Sequence, residues 1–143
     1  MILTAQKLDA VRGNLRTVAP HFERLSTLFF ARLFTAHSVL RPLFPQDAYR
    51  RAEDLLGALE QLTRNANRLD TVEGALIDFG VRNERAGIQP VHYGAAREAL
   101  LFALADVSGA QWNAELRDAW ATLLQVVSSV ALRGAGRARA RAA

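Results

Sequence analysis

The sequence predicts an all-α domain of six or so helices, and three observations carry that prediction. Apolar residues recur at steps of three and four along several long segments. Prolines 20, 42, 45 and 90 and glycines 87 and 109 stand between those segments, where helices start and stop. No run alternates apolar and polar residues between turn pairs, as a half-buried strand would.

Each element follows from local chemistry. Thr4 can cap a first helix through Ala19, along which Leu8, Val11, Leu15 and Val18 make one stripe. Pro20 interrupts it and suits the first turn of a second helix, with Phe22, Leu25, Phe29 and Leu33 in step. Pro42 and Pro45 bracket an irregular corner around Leu43 and Phe44. Asp47 can cap a third helix carrying Leu55, Leu56, Leu59 and Leu62. Asp70 with Glu73 resembles a capping box, and opens a fourth helix that ends near Gly87. Pro90 starts a fifth, through Leu104, and Gly109 separates it from a sixth over about 111–132. In that last segment Trp112, Leu116, Trp120, Leu123, Leu124, Val126, Val127 and Val130 cover more circumference than one core-facing stripe needs. This excess fits either two contacts within the chain or a homodimer through the last two helices.

Composition bounds the function. The chain has 143 residues, half of them hydrophobic and none of them cysteine. That is one domain's length, without a disulfide scaffold, a thiolate metal site or a thiol nucleophile. Nothing approaches the roughly 18 uncharged apolar residues that a membrane span needs. The first residues lack the basic, apolar, small order of a signal peptide, so the expected location is cytoplasmic. The formal charge of +4 resides wholly in the final segment, where Arg133, Arg137, Arg139 and Arg141 stand without an acid. A neutral body over residues 1–132 with a basic, disordered tail over 133–143 is therefore expected, and no specific nucleic-acid binding.

Three stretches carry a family resemblance: LFFARLFTAHSVLRPLF at 28–44, VRNERAGIQPVHY at 81–93 and LRDAW at 116–120. They resemble the bacterial single-domain haemoglobins and the globin domain of flavohaemoglobins. The resemblance covers about residues 1–132 and implies a globin fold of about six to eight helices, with haem b as cofactor. By that resemblance Phe44 is the corner phenylalanine that wedges against haem, and Leu55 is the apolar distal residue. The family's distal tyrosine falls on Phe30 and its distal glutamine on Arg51. Its proximal histidine, seven residues before the helix-opening proline, falls on Asn83. The tyrosine ten residues further on is kept as Tyr93, and the family's proximal glutamate aligns near Ala135.

These substitutions change the expected chemistry. A globin holds iron through a neutral imidazole oriented by an acceptor behind it. Asn83 offers only an amide oxygen, a weak neutral donor on a shorter side chain. His21, His37 and His92 lie at helix ends, away from the haem faces of the family template. Phe30 cannot donate a hydrogen bond to a bound gas, and Arg51 is always charged, so its fork seeks a carboxylate or water. The expectation is a pocket protein with an altered haem site: a binding or signalling module with no metal ligand of its own. Its ligand would be haem or another apolar or anionic small molecule. The alternative is a haem-binding globin that takes oxygen or nitric oxide. Nitric oxide dioxygenation, and enzymatic turnover generally, are not expected: no nucleophilic triad, metal-ligand spacing or phosphate loop is present.

Overall fold

Thr4 begins the first helix as its position predicts: its hydroxyl accepts the Lys7 amide at 3.2 Å. The computed structural model describes residues 2–43 and 69–142, together with 57, 60, 61 and 64. Among the described residues are five α-helices and no strand: α1 (Ala5–Val18), α2 (Phe22–Ala36), α3 (Leu69–Ala86), α4 (Pro90–Ser108) and α5 (Ala114–Ala142). Short 3-10 turns occupy Ala19–His21, Ser38–Leu43 and Gly109–Gln111. Pro20 and Pro90 sit in the first turns of their helical segments, where a missing N–H costs nothing. The helix expected after Asp47 lies largely outside the described residues.

One core joins four helices. The stripe Leu8, Val11, Leu15 and Val18 meets Leu25, Phe29 and Leu33 of α2, Leu100 and Leu104 of α4, and Leu116, Trp120 and Leu123 of α5. At its centre lies a polar knot. Trp120, fully buried, donates its indole N–H to Asn14 Oδ1 at 2.9 Å. Asn14 Nδ2 in turn donates to Ser108 Oγ and Gln111 Oε1, each at 2.9 Å. α1, α4, the 109–111 turn and α5 are thereby tied through one amide. Among the described side chains no buried polar atom lacks a partner.

The chain end departs from expectation. α5 does not stop at Leu132 but continues to Ala142, so residues 133–142 are helix rather than disordered tail. Ala131, Gly134 and Ala135 are buried against α3. A Cβ at Gly80 would fall 1.8 Å from the Ala131 carbonyl oxygen, and one at Gly134 2.1 Å from that of Ile77. The two backbones therefore touch, which only glycine permits at these positions. Arg133 pairs with Glu73 at 3.0 Å and Arg139 with Glu84 at 2.9 Å. Glu73 thus serves an interhelical ion pair, while the Asp70 side chain of the expected capping box lies outside the described residues. Alanine and arginine are strong helix formers, and here the small residues do the docking.

The surplus apolar circumference of α5 is also used inside the chain, because α5 packs on α1, α3 and α4. Leu116, Trp120, Leu123 and Leu124 are buried, and Trp112, Val126, Val127 and Val130 half-buried. Four of the eight side chains that suggested a homodimer are thus buried within one copy and four are partly exposed.

Candidate functional site

The corner between α3 and α4 positions the residues singled out from sequence. α3 ends in a Schellman arrangement: Gly87 takes φ +95°, its N–H reaches the Glu84 carbonyl at 3.1 Å, and the Ile88 N–H reaches the Asn83 carbonyl at 2.9 Å. Asn83 is thus fixed at its backbone by the helix end. α4 then opens with a reciprocal capping box, in which the Gln89 side chain accepts the His92 amide and His92 Nδ1 accepts the Gln89 amide at 2.9 Å. This register brings Tyr93 back across from Asn83.

The contact is direct. Asn83 Nδ2 donates to the Tyr93 hydroxyl at 3.0 Å, and both residues are half-buried. Burial pushes the Tyr93 phenol above its ordinary range. The Asn83 amide draws it down, Glu84 pushes it up, and Arg139 draws it down again. Ala135, where the resemblance aligns the family's glutamate, is buried and carries no carboxylate. Charge near Tyr93 comes instead from the Glu84–Arg139 ion pair, on α3 and α5. Beside it opens a groove of about 530 Å³ lined by Glu84, Gly87, Ile88, Gln89, Pro90 and Arg139.

The other expected site residues are placed less directly. Phe30 is half-buried on α2 in an aromatic run, edge-on to Phe29 at 5.0 Å and stacked on Phe34 at 5.6 Å. Phe44, Arg51 and Leu55 lie outside the described residues. The structure therefore brings together Asn83 and Tyr93. It adds Glu84, Arg139 and His92, which sequence reasoning did not select. Arg139 was missed because the tail was read as solvated. His92 was read as one of three helix-end histidines, and the correction is that it is buried and works as a cap.

The donor set decides how haem fits. The family's axial ligand is an imidazole nitrogen with a free lone pair, though thiolate, thioether and phenolate ligands serve other haem proteins. Asn83 donates one of its two amide hydrogens to Tyr93, and its side-chain oxygen is a weak neutral donor for a metal. His92 Nδ1 is engaged by the Gln89 amide, so the neutral ring carries its hydrogen on Nε2 and presents no lone pair there. His37 packs edge-on against His92, and His21 is exposed. At position 83 the chain offers an amide in place of an imidazole.

Comparison with known proteins supplies the family. The Globin family model matches residues 27–131. A flavohemoprotein of Rhizobium meliloti (strain 1021) is 26% identical over 123 residues, which is 84% of this chain and 30% of that protein. The chain thus spans about a third of the flavohemoprotein's length. Neuroglobin of Tetraodon nigroviridis is 23% identical over 146 residues, covering 92% of each chain. Among solved structures, an engineered carbene transferase from Rhodothermus marinus superposes with a TM-score of 0.85 at 24% identity, covering 97% of each chain. That likeness speaks for the fold.

Proposed function

This chain belongs to the globin family, and from that premise we propose that it is a ligand-binding or signalling module whose haem site has lost its axial imidazole. The family implies haem and small gas ligands. In this reading Asn83 stands where iron would be held, and the pocket takes haem by its faces or a different apolar or anionic small molecule. The single observation behind the reading is the Asn83–Tyr93 hydrogen bond at 3.0 Å. A residue ten positions before the tyrosine meets its hydroxyl, and that residue is an amide. Phe30 extends the same logic, since a hydrocarbon ring leaves a bound gas without a donor. Phe44, Arg51 and Leu55 complete the pocket by resemblance. No turnover is assigned to the site, and the proposed location is cytoplasmic.

Titration of the purified protein with haemin, followed by absorbance, tests this. The reading predicts weak uptake and a spectrum without an axial imidazole. Tight uptake with an imidazole-ligated spectrum would instead support the oxygen- or nitric-oxide-binding alternative.

A further inference from the structure

His92 occupies an unusual position for a buried imidazole. It is 6% exposed, at the third position of α4, and spends its Nδ1 lone pair on the Gln89 amide. The three residues between α3 and α4 have three backbone N–H groups. Gly87 and Ile88 give theirs to α3 carbonyls, and Gln89 gives its own to His92. Pro90 follows and has none. Of these three bonds only the last ends on a titratable atom. From the end of α2, His37 stacks edge-on against the same ring, with centroids 5.3 Å apart.

We infer that His92 is a proton-operated latch on the α3–α4 corner: neutral, it holds Gln89; protonated, it releases that amide and repels His37. Protonation puts a hydrogen on Nδ1, so two donors face each other where a donor met an acceptor. The new charge also sits at the positive end of the α4 dipole. Among the described residues, His37 is the titratable neighbour whose field opposes a charge on His92. Burial first, and His37 second, hold the His92 pKa below the ordinary histidine value. Because the folded-state value is depressed, the latch contributes its full stability above the unfolded value, about 6.5. That stability is lost as pH falls through the lower folded value. The same corner caps α3 at Asn83 and lines the groove beside Arg139, so release loosens the frame of the site. This inference rests on the corner alone and stands apart from what the pocket binds.

The test is a nitrogen-15 NMR titration of the full chain from about pH 8 to about pH 5. Ring spectra should show His92 as the Nε2–H tautomer at the upper end. Hydrogen-exchange protection of the Gln89 amide, corrected for intrinsic exchange, should fall about tenfold or more as His92 titrates. His92→Gln keeps a capping acceptor without a titratable group, and its Gln89 protection should stay flat over the range. His37→Gln should move the His92 midpoint upward. An Nδ1–H tautomer in the unaltered protein would overturn the inference without any variant. So would Gln89 protection that is constant with pH, or the same fall in His92→Gln.

Discussion

Two asparagines in this chain do opposite things with the same amide. Asn14 is 1% exposed and makes three hydrogen bonds, to Trp120, Ser108 and Gln111. Two of the partners, Trp120 and Ser108, are buried and would otherwise be stranded, while Gln111 is exposed. Asn83 is half-buried, and among the described residues its side chain bonds to Tyr93 alone. A saturated amide in the core holds helices together, because losing it leaves several buried groups unpaired. A half-buried amide with one such partner costs less to lose. In the proposed reading Asn83 is the site residue and Asn14 the structural one.

The largest effect expected from this comparison is on stability at the first site. Asn14→Ala should cost about 3 kcal/mol in denaturant unfolding, since the Trp120 indole N–H is left unsatisfied. Asn83→Ala should cost under about 1 kcal/mol, because its partner is half-exposed and can turn to water. Equal losses at the two positions would break the comparison. Next comes the helix that backs the site. Gly134→Ala should destabilise by about 2 kcal/mol, as the added methyl meets the Ile77 carbonyl. Deleting residues 134–143 should lower the melting temperature by several degrees, and an unchanged melt would mean that the end of α5 carries no packing. The smallest effect is electrostatic. Arg139→Gln removes an exposed ion pair and should cost well under about 1 kcal/mol. It should nonetheless raise the Tyr93 pKa, while Glu84→Gln lowers it, both read from the ultraviolet phenolate titration.

Much of this was legible in the sequence where the signal is local. Thr4, Pro20, Gly87 and Pro90 mark ends because capping and ring closure act within a turn. The register from Asn83 to Pro90 and Tyr93 singled out both residues, but their hydrogen bond at 3.0 Å is a finding of the structure. Signals that need a partner element were not legible. The docking of α5 depends on Gly80 and Gly134 meeting across two helices, and composition alone made residues 133–143 look like a loose end. His92 looked like an exposed histidine because its capping role needs the bend before Pro90. The apolar surplus of α5 was ambiguous between a second copy and the chain itself, and packing on α1, α3 and α4 buries half of it.

The central proposal puts Asn83 at the axial position of a globin haem pocket. Its most direct test is haemin titration of Asn83→Ala, Asn83→His and the unaltered chain, read by absorbance. The account predicts that the unaltered chain and the alanine variant behave alike, with no axial imidazole. It predicts that the histidine variant gains about tenfold or more in affinity and shows the spectrum of imidazole-ligated haem. A histidine variant that takes up haem no better than the unaltered chain would contradict it.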